Sequence, residues 1–321
     1  MALRSAIIGC GGYLPPTIVT NDELAERFNL DTSDEWIRER SGIRQRHLAG
    51  PGDTCSTLAA EAARRALESA GVTADEVDVL VLATATPDSA FPATAVRVQA
   101  LLGMTHGFGF DVSAACTGFV YALSLADAMI RSGQARCALV IGAEVYSRII
   151  DWSDRASCVL FGDGAGAVVL RAEEGERGIL STHLHSDGRH ADILHVEGGA
   201  GSTGGTGLLR MAGREVFKHA VTKLASAVDE ALDANGLSRD DVQLLVPHQA
   251  NIRIIDAMGR KLGLPKDRVV VTVDRHANTS AASIPLALDE AWREGRIREG
   301  DLVLLEAIGG GLTWGAALAR F

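Results

Sequence analysis

The sequence lacks the marks of a disulfide framework, a zinc site and a membrane span. Its five cysteines, Cys10, Cys55, Cys116, Cys137 and Cys158, are odd in number and contain no CxxC pair, a pattern of reduced thiols. No apolar run approaches the roughly 18 residues of a membrane helix. The first apolar run, Ala6 to Cys10, is too short for a secretory segment and is closed by Gly11 and Gly12, so it is expected to be a buried strand. An excess of basic charge is also missing. The formal net charge of −10 argues against nucleic acid as a partner, while leaving room for a local basic patch. A cytoplasmic protein that binds neither nucleic acid nor membrane is expected.

Of the chain's 321 residues, 47% are hydrophobic and 22% charged, enough for a large core. Strand-length apolar runs alternate with amphipathic helical patterns. Strands are expected at Val77–Thr84, Gly107–Val112, Cys137–Gly142, Val242–Val246, Val269–Val273 and Leu302–Ala307. Helices are expected at Thr54–Ala70, Thr117–Arg131, Arg214–Asn235 and Ile252–Leu262, each followed by a glycine stop. This alternation predicts an α/β fold with mostly parallel sheets.

A repeat runs through the pattern. Ala66–Val77 resembles Ala231–Val242 at a constant offset of 165 residues. The segment around Cys116 matches that around Asn278 at an offset of 162. Ala138–Gly142 pairs with Leu302–Glu306, and Gly162–Leu170 with Gly309–Leu318. Four matches in one order predict two duplicated halves, 1–175 and 176–321. Cys116, His248 and Asn278 then each follow a strand, where ligands bind in open α/β sheets.

Cys116 lies in Asp111-Val-Ser-Ala-Ala-Cys-Thr-Gly-Phe119, where a small-residue turn meets an apolar helix. A helix start favours thiolate, so a lowered thiol pKa is expected there. The other four cysteines read as packing residues. His248, in Val246-Pro-His-Gln-Ala-Asn251, and Asn278, in Arg275-His-Ala-Asn-Thr-Ser280, sit in turns that alone could be purely structural. Gly309-Gly-Gly-Leu-Thr-Trp-Gly315 reads as a tight turn between strands that could bring backbone N–H groups to a reacting carbonyl. No Lys-Ser/Thr follows it, so it is not a phosphate loop. The histidines His183, His185, His190 and His195 fit no recognised metal-ligand spacing, and no metal is expected. Gly198–Gly207, with six glycines in ten residues, is expected to be a surface loop.

Taken in order, Ala115-Cys-Thr-Gly118, Pro247-His-Gln-Ala-Asn251, His276-Ala-Asn-Thr-Ser280 and the Gly309–Gly315 turn resemble β-ketoacyl-[acyl-carrier-protein] synthase III, across essentially the whole chain. The resemblance implies a thiolase-like, five-layered αβαβα fold and a homodimer without cofactor. It implies an acyltransferase that condenses a short acyl-CoA with malonyl-ACP through an acyl-cysteine at Cys116, assisted by His248 and Asn278. Backbone N–H groups of Cys116 and Gly310 would form the oxyanion hole. Thr32, Trp36, Arg40, Arg155, Gly213 and Asn251 fall at CoA-binding positions. Arg253, Lys218, Arg214, Arg260 and Lys261 would receive the acidic carrier. Phe91 matches a residue that closes the partner's acyl pocket, its bulk pointing to a short primer such as acetyl. A relative in secondary metabolism and an inactive partner subunit are the alternatives. A biosynthetic thiolase is disfavoured, because no cysteine follows Cys158.

Overall fold

In a computed structural model describing residues 3–321, two mixed sheets alternate with three helical layers. The chain first forms β1 (Leu3–Tyr13), β2 (Thr17–Thr20), α1 (Asn21–Phe28), α2 (Asp34–Ser41), β3 (Gln45–Leu48), α3 (Cys55–Ala70), β4 (Val79–Ala83), α4 (Thr94–Leu102), β5 (Phe108–Val112), α5 (Gly118–Arg131), β6 (Cys137–Glu144), α6 (Arg155–Cys158) and β7 (Gly164–Glu174). It continues with β8 (Gly178–Ser186), β9 (Leu194–Gly199), β10 (Gly205–Met211), α7 (Gly213–Ala234), β11 (Leu244–Pro247), α8 (Ile252–Leu262), α9 (Val273–His276), α10 (Ser283–Arg293), β12 (Leu302–Gly309) and β13 (Thr313–Arg320).

Strand alternation builds the layers. Leu80, Leu82, Leu139 and Ile141 face one way, against Ala59 and Ala63 of α3. Their neighbours Val79, Val81, Ala138 and Val140 face the other way, onto Phe119 and Leu123 of α5 and Ile284 and Leu288 of α10. The same central core takes Val246, Val303 and Leu305 from the second sheet. Leu245, Leu302 and Leu304 point outward onto Leu224 of α7 and Ile255 and Met258 of α8. Strands covered on both faces read as continuous apolar runs, which is why they stood out in the sequence.

The sheets run β1-β7-β6-β4-β5 and β8-β13-β12-β11. The expectation of mostly parallel pairing is corrected: β4–β5, β4–β6 and β11–β12 are parallel, but β7 and β13 return antiparallel to both neighbours. Their burial, and hence their composition, is the same in either direction.

The strand expected at Val269–Val273 is also corrected. Only Val269 bridges to Leu245, and Val273 already opens α9. The Gln249 side chain takes the place of a paired strand: Oε1 accepts from the N–H groups of Thr272 and Val273, and Nε2 donates to Pro247 and Val270 carbonyls. The glycine-rich 198–207 segment forms the exposed tip of the β9–β10 hairpin, in keeping with the surface loop expected there. His183 and His185 lie on β8, and both bind Glu230 of α7, at 3.2 and 2.6 Å.

The glycine stops hold. Gly71, Gly133, Gly236 and Gly263 all have positive φ at or just past a helix end. Two other glycines let layers touch. A Cβ on Gly142 of β6 would lie 2.2 Å from the Ala281 carbonyl, and one on Gly309 2.7 Å from the Cys116 nitrogen. Among the described residues, no helix is long and apolar enough to cross a membrane.

Candidate active site

Cys116 occupies a 3₁₀ turn, Ala115–Thr117, that leads into α5. Ala115 holds a left-handed φ of 45° there. This turn is clasped to the one after β12: Thr117 Oγ1 donates to the Thr313 carbonyl at 3.0 Å, and Thr313 Oγ1 to the Ala114 carbonyl at 3.1 Å. With the missing Cβ at Gly309, these bonds seat the glycine turn directly on the Cys116 backbone.

The sulfur's environment corrects the expectation of a lowered pKa. Cys116 is buried, and burial pushes its thiol up to about 12. The Ser280 hydroxyl pulls it down, and the Glu144 charge pushes it further up. Desolvation of a thiolate outweighs the helix start.

His248 follows β11, and its N–H donates to the Glu306 carbonyl at 2.8 Å. Burial lowers the imidazole to about 3, so the ring is neutral at physiological pH. Its Nδ1 lies 2.7 Å from Ser283 Oγ, which also accepts the Gln249 N–H at 3.3 Å. In the tautomer in which the Ser283 hydroxyl donates to Nδ1, the ring carries its hydrogen on Nε2, available as a donor.

Asn278 does not follow a strand as expected, since α9 intervenes. It is held by a bridge to Phe161: its N–H donates to the Leu160 carbonyl, and its carbonyl accepts from Gly162. Its side-chain Oδ1 accepts the Ser280 N–H at 2.8 Å. That fixes the amide orientation and leaves Nδ2 as a donor. One turn thus organises three groups from distant parts of the chain: Ser280 faces the sulfur and orients Asn278, and Ser283 orients His248.

Two buried glutamates went unread in the sequence. Glu144 ends β6 and accepts from Thr86 Oγ1 at 2.7 Å, Ala85 N–H at 3.1 Å and Ser280 Oγ at 3.0 Å. Burial outweighs these bonds and lifts its carboxyl to about 7. The only cue was a lone acid closing an apolar run, Cys137-Ala-Leu-Val-Ile-Gly-Ala-Glu144. Glu306, on β12, has neither carboxyl oxygen bonded, and burial raises it to about 8.

Two profiles of 3-oxoacyl-[acyl-carrier-protein (ACP)] synthase III match, the N-terminal one over residues 110–188 and the C-terminal one over 232–321. The β-ketoacyl-[acyl-carrier-protein] synthase III of Acidiphilium cryptum is 66% identical, over 99% of both chains. The chain belongs to this synthase III family. It is therefore a condensing enzyme of the acyltransferase type, of the kind that initiates fatty acid synthesis. The solved synthase III from Aquifex aeolicus superposes with a TM-score of 0.94 at 48% identity, covering 99% of this chain and 100% of that one. The priming β-ketosynthase of the R1128 polyketide pathway gives 0.93 at 37% identity, covering 100% and 98%.

The other positions expected to act in this synthase III member fall into three groups. Two guanidinium groups lie over the Trp36 ring of α2, Arg40 at 4.5 Å and Arg155 at 4.9 Å from its centre. Thr32 Oγ1 is buried without a partner. Asn251 caps α8 through Oδ1 and donates from Nδ2 to the Arg40 carbonyl at 2.9 Å, and Arg253 donates to the Glu39 carbonyl. These bonds draw Trp36, Arg40, Asn251, Arg253 and Arg155 into one surface. Gly213 opens α7, with no hydrogen bond to that cluster among the described residues.

The remaining basic residues are less uniform than their spacing suggested. Arg214 is exposed on the first turn of α7, where Lys218 pairs with Glu215 at 4.0 Å. Arg260 and Lys261 sit in the last turn of α8, and Lys261 borders a groove with Asp229, Glu230 and Asp233. Phe91 is 85% exposed, beside a cavity of about 760 Å³ lined by Thr84, Asp88, Asp111 and Ile149 among others.

Proposed function

We propose that this chain catalyses decarboxylative condensation of a short acyl-CoA, acetyl-CoA being the first choice, with malonyl-ACP. The products are 3-oxoacyl-ACP, CoA and CO₂. The observation that carries this reading is the Ser280–Ser283 turn, which keeps a thiol, a neutral imidazole and an oriented amide together. Cys116 Sγ attacks the thioester carbonyl and becomes acylated. Backbone N–H groups of Cys116 and Gly310 stabilise the oxyanion. Malonyl then loses CO₂, and the enolate oxygen receives hydrogen bonds from His248 Nε2 and Asn278 Nδ2. The carbanion attacks the acyl-cysteine. The halves 1–175 and 176–321 divide this work, the first supplying the thiol and the second both donors.

Acyl-CoA approaches over the Trp36 surface. Adenine inserts between Trp36 and Arg155, displacing the guanidinium that now covers the ring, with Thr32, Arg40, Asn251 and Gly213 along the arm. The acidic carrier docks on Arg253, supported by Arg214, Lys218, Arg260 and Lys261. A two-step assay tests this: acetyl transfer from acetyl-CoA to protein, then product formation with malonyl-ACP. Wild-type protein is expected to complete both steps, and failure to become acetylated overturns the reading. In the same assay Trp36→Ala is expected to raise the KM for acetyl-CoA roughly 5- to 150-fold with little change in kcat, the range of about 1–3 kcal/mol for base stacking. Arg253→Glu is expected to spare loading and weaken use of malonyl-ACP, an effect shrinking with salt because charges are screened over about 10 Å at 0.1 M. An unchanged KM, or an equal loss with malonyl-CoA, removes the respective assignment.

The active form is a homodimer on this reading. Strand β5 lies at a sheet edge with one side unpaired, and Phe108 on it and Phe91 near it are exposed. A second copy's Phe91 would enter the cavity beside Asp111 and limit the acyl chain. Light scattering is expected to report twice the chain mass, and a fully active monomer would refute this. The likeness to the R1128 priming synthase favours a second reading, service to a specialised pathway with a different primer. A panel of acyl-CoAs separates the two.

A further inference from the structure

We propose that Glu144 takes up the Cys116 proton during acyl loading, with the Ser280 hydroxyl as the relay between them. The proposal rests on the acyl-cysteine reading above and adds a proton path to it. The geometry is specific. Ser280 is fixed at a left-handed φ of 50° by its own N–H bond to Asn278. Its hydroxyl lies 3.0 Å from Glu144 Oε1 and 3.1 Å from the Tyr146 hydroxyl, and it faces the Cys116 sulfur. Its settled hydrogen bonds go to Glu144 and Tyr146, so the sulfur contact is the looser of the three.

Burial holds the Tyr146 hydroxyl well above its usual range, so it stays protonated, and its oxygen accepts from Ser280 Oγ at 3.1 Å. The same Ser280 hydroxyl is shared with Glu144 Oε1 at 3.0 Å. The titratable groups facing Glu144 are the thiols of Cys116 and Cys55 and the Tyr146 phenol. Thr84, Thr86 and the backbone of Ala85 and Ala281 supply the neutral donors. His248, the alternative acceptor, is poorly suited, because burial has lowered its affinity for a proton.

The step balances. As Cys116 Sγ bonds to the thioester carbon, its S–H bond breaks. That proton passes to Ser280 Oγ, and the Ser280 proton passes to Glu144 Oε1. When the tetrahedral intermediate collapses, the carbon–sulfur bond to CoA breaks, and the departing sulfur takes a proton back along the same path. The resting thiol binds its proton far more tightly than Glu144 does. Transfer therefore accompanies sulfur attack, during which the S–H group becomes acidic.

Two readouts separate proton transfer from simple electrostatics. Removing the Glu144 charge lowers the thiol pKa, because that charge now raises it. Glu144→Gln is therefore expected to alkylate faster at Cys116 with iodoacetamide, followed by peptide mass mapping. The same variant is expected to load from acetyl-CoA about 10²-fold more slowly or worse. Wild-type loading should rise with pH as Glu144 ionises, levelling off above about 7. Glu144→Gln should lose that rise, and His248→Ala should keep it. Glu144→Asp should retain the rise at a reduced rate, and Ser280→Ala should load slowly, so the test survives if the glutamine variant fails to fold. The proposal is overturned if Glu144→Gln keeps the wild-type pH profile. It is also overturned if alkylation and loading fall together, or if the rise vanishes in His248→Ala. Acetylation of a Cys116→Ala protein would instead refute the underlying acyl-cysteine reading.

Discussion

Cys116→Ala is expected to end acyl loading altogether while leaving the fold in place. The side chain it truncates is small and sits at a helix start, so the stability change should be about 1 kcal/mol. The backbone N–H groups assigned to the oxyanion survive the substitution, as does the clasp between Thr117 and Thr313. What disappears is the thiol of the residue whose backbone meets the glycine turn. Cys10, Cys55, Cys137 and Cys158 are buried elsewhere, and burial holds each thiol above its usual pKa. None can substitute. Radiolabel transfer from acetyl-CoA, followed by denaturation and peptide mapping, reads the result. Label retained on the variant would remove Cys116 as nucleophile. Far-UV circular dichroism on the same sample separates lost chemistry from lost structure. Malonyl decarboxylation should persist in this variant, because neither His248 nor Asn278 is touched.

The three groups at the centre of the site were legible because each stands in a conspicuous turn. Cys116 interrupts a run of small residues, His248 follows a proline that ends a strand, and Asn278 precedes Thr279 and Ser280. What the sequence concealed was their support. Ser280 and Ser283 are ordinary serines in Thr279-Ser-Ala-Ala-Ser283, and nothing local marks one as left-handed and the other as the partner of an imidazole 35 residues away. Gln249 reads as a polar turn residue, yet its amide replaces a strand's hydrogen bonds. The apolar run at 269–273 therefore looked like a strand and is not one. Strand direction was equally hidden, since side chains buried on both faces carry no record of which way their neighbours run. The thiol pKa was misjudged for a related reason. A helix start is visible in sequence, but the depth of burial that outweighs it emerges only from packing between the layers.

His248→Ala and Asn278→Ala are each expected to keep acyl loading and lose malonyl decarboxylation. The argument follows where negative charge appears. During loading it forms on the acyl carbonyl oxygen, beneath backbone donors that neither substitution removes. During decarboxylation it forms on the malonyl thioester oxygen, where the assigned donors are His248 Nε2–H and Asn278 Nδ2–H. Both are oriented by bonds on their far side, to Ser283 at 2.7 Å and from Ser280 at 2.8 Å. Such preorganised donors incur no reorganisation cost when the charge develops, and loss of one typically costs about 10²- to 10³-fold in rate. The neutral state of His248 matters to this step. With burial holding the ring at about 3, it does not change charge between pH 5 and 8, so its contribution to CO₂ release should be flat across that range. The paired measurement is acetyl transfer to protein and CO₂ release from malonyl-ACP, each against pH. An Asn278→Ala protein that releases CO₂ normally but fails to load would reverse the assignment. A decarboxylation limb near pH 6.5 that vanishes in His248→Ala would show the imidazole titrating in water-like surroundings, contrary to its buried position. If both variants fall by the expected factor, replacing both residues together should cost less than the product of the two losses, because donors converging on one oxygen are coupled.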